Sequence, residues 1–261
     1  MTKRIRRHEF IFLLIWPAFA SILSLVLDAQ IYTSMFLFFG VPAVYLSWKH
    51  PNLIKKSLVF SLIFSVPATF FIDYVMQLTN GWMIERIELP HIQILEHVSL
   101  LQIIWLILFT YFIVIYYEVF FDRSISKVIY PRTKWLLLAA LGVIGFVVSN
   151  HFFNPEALYI NYFYLKIGVI SVLMPLLVFT IGKSSLYSKF LKVGGYFFFV
   201  TLIYEITALR LEQWSFPAKE QFIGHVSLFK HSFPVEELIF WIILSAMSTL
   251  AYYEYFEDDG K

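Results

Sequence analysis

Uncharged apolar runs recur along the whole chain, separated by short polar stretches. They cover approximately Phe10 to Leu27, Ile31 to Trp48, Leu58 to Leu78, Val98 to Phe121, Trp135 to Phe152, Tyr159 to Ile181, Val193 to Leu211 and Pro234 to Phe256. A helix rises 1.5 Å per residue, so about 20 apolar residues cross roughly 30 Å of hydrocarbon. The pattern predicts an all-α integral membrane protein with about eight transmembrane helices. Two runs carry an acid, Asp73 in the third and Glu205 in the seventh. Basic Thr2 to Arg7 precedes the first run without a clean small-residue cleavage site, which predicts an uncleaved first span rather than a signal peptide.

The polar stretches alternate in charge. Lys3 to Arg7, Lys49 to Lys56, Arg123 to Lys134 and Lys183 to Lys192 are basic, whereas Asp28 to Gln30, Thr79 to His97, Asn150 to Leu158 and Glu212 to Phe233 are not. Cytoplasmic loops are the ones enriched in Lys and Arg. The expected placement is the cell membrane with both termini cytoplasmic, the acidic tail Glu254 to Asp259 being a local exception. Asp73, Glu205 and Glu236 then lie toward the outer face.

Sliding the second half over the first gives agreement at an offset of 132 to 136 residues. Asp73 and Trp82 fall on Glu205 and Trp214, nine residues apart in both copies, and WLILFTYFIVIYYEVFFD falls on WIILSAMSTLAYYEYFED. Tyr116, Tyr117 and Glu118 therefore match Tyr252, Tyr253 and Glu254, while Pro42 and Pro175 mark the second span of each half. The implied organisation is a first four-helix repeat over 1–121, a linker over 122–134 and a second repeat over 135–261. An even number of spans per repeat makes the two parallel, related by an axis along the membrane normal, with a shared cavity at their junction.

Composition sharpens this picture. The chain is 59% hydrophobic and 15% charged, far from the balance of a soluble protein. It holds no cysteine, which excludes disulfides, thiolate metal sites and cysteine nucleophiles. A net charge of +2, dispersed over loops, argues against a nucleic-acid partner. Aromatic residues make up 20%, more than interfacial belts require, and suggest an interior lined with rings.

Candidate chemistry gathers at the outer ends of the spans. In SFPVEELIFW, Pro234 opens a helix and Glu236 and Glu237 occupy its first turn, about 100° apart around the axis. An acid inside a membrane marks a functional site by default, and one kept protonated near neutral pH can donate a proton. Asp73 and Glu205, at matching heights in the two halves, suggest a two-sided site. Lys166 is expected to pair with Glu205 or Glu236 or else to snorkel, and Glu118 and Glu254 are expected to be interfacial. His91, His97, His225 and His231 lie on outer loops without metal-binding spacing, and no nucleotide-binding glycine pattern occurs, so neither metal nor cofactor is expected.

An acid in one span, a Trp nine residues on, and Pro-x-Glu-Glu opening the next span together resemble the membrane lycopene cyclase domain family of carotenoid biosynthesis. The second half carries the resemblance through Glu205, where that family usually has Asp, Trp214, Phe216, Gly224, Pro234, Glu236, Glu237, Phe240 and Glu254. The first half keeps Asp73, Trp82 and the Tyr-Tyr-Glu end but has Val98, Leu100 and Leu101 where Pro-x-Glu-Glu would stand; Glu96 and His97 are nearby substitutes. The resemblance implies a fused two-domain enzyme that protonates the end of a linear carotene, closes a ring through a carbocation and releases a proton, with no redox cofactor. It makes lycopene or a similar carotenoid the substrate, membrane lipid the surroundings and other carotenoid enzymes possible partners. On this reading Glu236 or Glu237 donates the proton, Glu205 with Asp73 tunes or receives it, and Trp82, Lys166, Trp214, Phe216, Phe233, Pro234, Phe240 and Trp241 surround the substrate. The competing expectation is a parallel-repeat transporter or a lipid- or carotenoid-binding membrane protein without catalysis. Against it stands the almost wholly apolar cytoplasmic half of each span.

Overall fold

The computed structural model describes residues 3–85, 92–122 and 131–257. Among the described residues seven helices are long and apolar enough to cross a membrane: α1 (Arg7–Val26), α2 (Ile31–Lys49), α3 (Pro51–Leu78), α4 (Leu100–Asp122), α5 (Thr133–Phe153), α6 (Phe163–Gly182) and α7 (Leu186–Arg210). Two shorter helices, α8 (Glu237–Ile243) and α9 (Ser245–Phe256), follow one another with a 52° bend. At the bend the Leu244 N–H reaches back to the Ile239 carbonyl at 3.1 Å, and the Ser245 hydroxyl donates to the Trp241 carbonyl. A wide helical turn of this kind, with a hydroxyl intruding on the ladder, bends a helix without proline.

The same wide turn precedes both matched prolines, at Phe36–Gly40 before Pro42 and at Gly168–Leu173 before Pro175. Proline lacks an N–H and crowds the carbonyl four residues earlier, and a widened turn relieves that clash. Six short strands occupy the end of the bundle away from the Lys-bearing ends of α2, α3 and α7. β1 (Met83–Ile84) pairs with β4 (Trp214–Ser215), β2 (Gln93–Ile94) with β3 (Val98–Ser99), and β5 (His225–Leu228) with β6 (His231–Pro234). The apolar-run pattern places loops there. The β5–β6 reversal has left-handed backbone at Phe229 and Lys230 (φ 48° and 71°), where Asn-Gly would have signalled the turn.

Packing interleaves the halves. α1 lies on α7 and α5 lies on α3, so the leading helix of each half covers the acid-bearing helix of the other. α4 meets α9 along the middle. At the Lys-bearing end these two helices exchange contacts: the Tyr117 hydroxyl donates to Glu254 and the Tyr253 hydroxyl to Glu118. Lys56 pairs with Glu118 at 2.9 Å, and its ammonium also sits 5.2 Å from the centre of the Tyr253 ring. Glu118 and Glu254 are buried between helices at that end. Burying a carboxyl costs desolvation, and the partners from the opposite half offset part of that cost.

One stripe departs from the apolar expectation. Ser57, Ser61, Ser65 and Thr69 are buried at i+4 spacing on α3, so this span is an exception to the apolar cytoplasmic half. The Ser61 and Thr69 hydroxyls donate to the carbonyls one turn back (2.7 and 2.8 Å), and Ser65 donates to Thr110 of α4 at 3.0 Å. Small hydroxyl residues on one stripe let helices approach closely.

Replacing Glu118 with Leu strands the Lys56 ammonium, and we expect a loss of about 3–5 kcal/mol of stability. Thermal unfolding in detergent should show a large fall in Tm for Glu118→Leu and a much smaller one for Lys56→Met/Glu118→Leu. Equal falls would mean that the pair contributes nothing as a pair.

Candidate active site

Asp73 and Glu205 sit near the ends of α3 and α7, and both helices stop in the same way. Asn80 and Glu212 adopt left-handed backbone (φ 52° and 53°). The Gly81 N–H then bonds the Met76 carbonyl at 2.7 Å and the Gln213 N–H the Ala208 carbonyl at 3.0 Å. These six-to-one bonds satisfy carbonyls that the helix leaves open and reverse the chain. The reversal returns the following Trp to its acid: Trp82 Nε1 donates to Asp73 Oδ1 at 2.9 Å, and Trp214 Nε1 to Glu205 Oε1 at 3.0 Å. The nine-residue spacing is thus a helix end, a reversal and an indole reach. The β1–β4 ladder, which puts Ile84 opposite Trp214, straps the two returning segments together.

The remaining lone pairs are partly used. Asp73 Oδ2 accepts the Ser99 N–H at 2.6 Å, and Gln77 approaches Oδ1 at 3.5 Å. Glu237, the first residue of α8, accepts the Tyr164 hydroxyl from α6 and lies close enough to Glu205 for the two carboxyls to interact electrostatically. One turn along α6, Gly168 leaves room for the Phe240 ring, which a Cβ at that position would overlap.

These groups line one cavity of about 330 Å³. Its polar end carries Asp73, Glu205 and Glu237, and its walls include Trp82, Trp105, Phe109, Tyr164, Trp214, Phe216, Phe240 and Trp241. The Trp105 and Trp241 ring centres lie 4.3 Å apart. Three carboxyls in an aromatic enclosure supply proton donors and acceptors beside ring faces that favour a cation. No group of three or more His, Asp or Glu side chains among the described residues is arranged to hold a metal.

Several expected site residues lie elsewhere. Glu236 is fully buried but faces away from the cavity; Oε1 accepts the Ile223 N–H at 2.8 Å and pins the segment that leads into β5. Phe233 and Pro234 belong to β6, paired with Val226 and His225 and outside the cavity wall, so Pro234 ends a strand before α8 and does not open the helix as its position in the sequence suggested. Lys166 is exposed and pairs with no acid among the described residues; two residues beyond Tyr164, it sits about 200° around α6, off the cavity wall. Glu96 is exposed, and His97 packs edge-on against Tyr74 at 4.8 Å, so neither replaces the missing Pro-x-Glu-Glu. Burial holds the His97 imidazole below its ordinary pKa, against the pull of Glu96. His91 lies outside the described residues.

Three lining residues were not singled out from the sequence. Trp105 was detectable, because the repeat alignment sets it on Trp241. Tyr204 precedes Glu205 in the chain, with its ring 5.3 Å from that of Trp214. Tyr164 had no signal: its role depends on α6 packing beside α8. No family profile, curated protein or solved structure matches the chain.

The twin glutamates should separate by stability. Glu236→Leu leaves the buried Ile223 N–H without its acceptor and should cost about 1–3 kcal/mol, lowering Tm, while Glu237→Gln, which can still accept from Tyr164, should leave Tm nearly unchanged. Equal effects would place Glu236 and Glu237 in equivalent settings.

Proposed function

We propose that the chain is a lycopene cyclase-like isomerase of carotenoid biosynthesis, closing the end group of a linear carotene without net redox change. The observation that carries this reading is the convergence of Asp73, Glu205 and Glu237 on one ring-lined cavity inside a bundle of apolar helices. In the proposed step, Glu237 transfers its proton to the terminal alkene, and the resulting tertiary cation is attacked by a neighbouring π bond to close a six-membered ring. The cation lies against Trp105, Trp214, Phe240 and Trp241, whose faces favour positive charge. Glu205 or Asp73, each steadied by its indole, takes the proton adjacent to the new cation, leaving a ring alkene. One proton enters and one leaves, so the product is an isomer and no cofactor is required. The dry, apolar enclosure withholds water that would quench the cation.

The same reading makes the chain two parallel four-helix repeats, with α8 and α9 together forming an eighth, broken span. It is supported by the matched Trp–acid clasps, the β1–β4 ladder between them and the exchanged Tyr–Glu contacts. Its setting is the cell membrane with both termini cytoplasmic, following the distribution of Lys and Arg. One observation favours a parallel-repeat transporter instead, namely the buried hydroxyl stripe on α3. Only Thr69 of that stripe, with Asp73 one turn on, reaches the cavity, however, and the Ser61 and Ser65 hydroxyls are spent on the helix itself and on Thr110.

Expression in lycopene-accumulating bacteria tests the proposal. The wild-type chain should convert lycopene to cyclic carotene, detectable by chromatography and absorption. Glu237→Gln should lower conversion by at least about 100-fold, with Asp73→Asn and Glu205→Gln each also impaired. Unchanged lycopene with the protein verified in the membrane would overturn the assignment.

A further inference from the structure

Of all the side chains lining the cavity, Ala139 alone is exposed on the outside of the bundle. It lies on α5, next to the buried Ala140 and the half-buried Val143 that continue inward, while Leu138 and Leu141 face outward. α5 and α6 are the two least buried spans, and across from α5 the wall is made by Ile167, Gly168 and Ser171 of α6. Below them the cavity is floored where the Tyr252 hydroxyl donates to the Ser171 carbonyl at 3.1 Å and Ser248 to the same oxygen at 3.3 Å. The opening is therefore sideways, through the apolar face of the bundle.

The depth of this opening is informative. Ala139 is fourteen residues before the end of α5, and Asp73 five before the end of α3, both helices ending at the strand-bearing face. At 1.5 Å per residue the mouth and the acids differ by roughly 13 Å along the bundle. We propose that the cavity admits one end of a long linear apolar chain from the bilayer at Ala139, while the rest of the chain stays in the lipid. This rests on the reading of the cavity as a carotenoid site and adds the place in the bundle wall where a substrate longer than the cavity enters. A small residue is required at the mouth because the trailing chain must pass it.

The test is Ala139→Trp, with Leu138→Trp as a control of equal bulk on the outward face. Purified protein in nanodiscs is titrated with lycopene and, separately, with myrcene, an acyclic hydrocarbon about the size of one end group, following quenching of the cavity tryptophans. Ala139→Trp should weaken lycopene binding at least tenfold and leave myrcene within twofold, and Leu138→Trp should change neither. Lycopene binding retained within twofold in Ala139→Trp, or both ligands lost together there, would overturn the proposal while leaving the carotenoid site standing. Failure of the wild-type protein to bind either ligand would overturn both.

Discussion

A carboxyl group inside an apolar bundle has to be given hydrogen-bond partners, because the cost of an unpartnered polar group there is several kcal/mol. Much of the strand-bearing end follows from that constraint. Asp73 and Glu205 each receive an indole N–H from a segment that must leave its helix, reverse and come back. The reversals require left-handed backbone at Asn80 and Glu212, and the returning segments end as two strands that pair with each other. Glu237 is met instead by a phenol from a different helix. The partners that make the acids tolerable are also rings, so meeting the electrostatic demand leaves a cavity walled with aromatic faces.

The opposite end solves the same problem by exchange. Glu118 takes the Tyr253 hydroxyl and the Lys56 ammonium, and Glu254 takes the Tyr117 hydroxyl. The two Tyr–Glu bonds cross between α4 and α9 and the Lys56 pair ties α3 to α4, so the charges that would be costly singly fix these helices against one another. The cavity runs from the strand-bearing end toward the middle of the bundle, where Ser248 and Tyr252 meet the Ser171 carbonyl. The acids thus divide by position: Asp73, Glu205 and Glu237 face the cavity, while Glu118, Glu254 and Glu236 are engaged within the scaffold.

The sequence revealed those features that depend on neighbours along the chain. Apolar run length located the seven long helices to within a few residues at most ends, except that α3 and α7 begin several residues earlier, carrying buried Lys56 and half-buried Lys189 into the bundle. The nine-residue acid-to-Trp spacing marked both clasps because it is a local device. What depends on packing was not visible. Glu236 and Glu237 look equivalent in the chain, and only the loop at Ile223 and the phenol at Tyr164 make one structural and the other cavity-facing. Lys166 interrupts an apolar run, which left pairing with an acid and snorkelling both open, and it extends from the exposed face of α6. The strands were hidden because their turns are built from Leu95, Glu96, Phe229 and Lys230, residues that do not advertise left-handed backbone.

In the proposed reaction a carboxyl proton starts the ring closure, and that proton is expected to exchange with water between turnovers. Running the conversion in deuterium oxide with membranes containing the chain, and analysing the carotenoid by mass spectrometry, tests it most directly. The account predicts one deuterium bound to carbon for each ring closed. Cyclic product without deuterium, or deuterium incorporated equally by the Glu237→Gln variant, would contradict it.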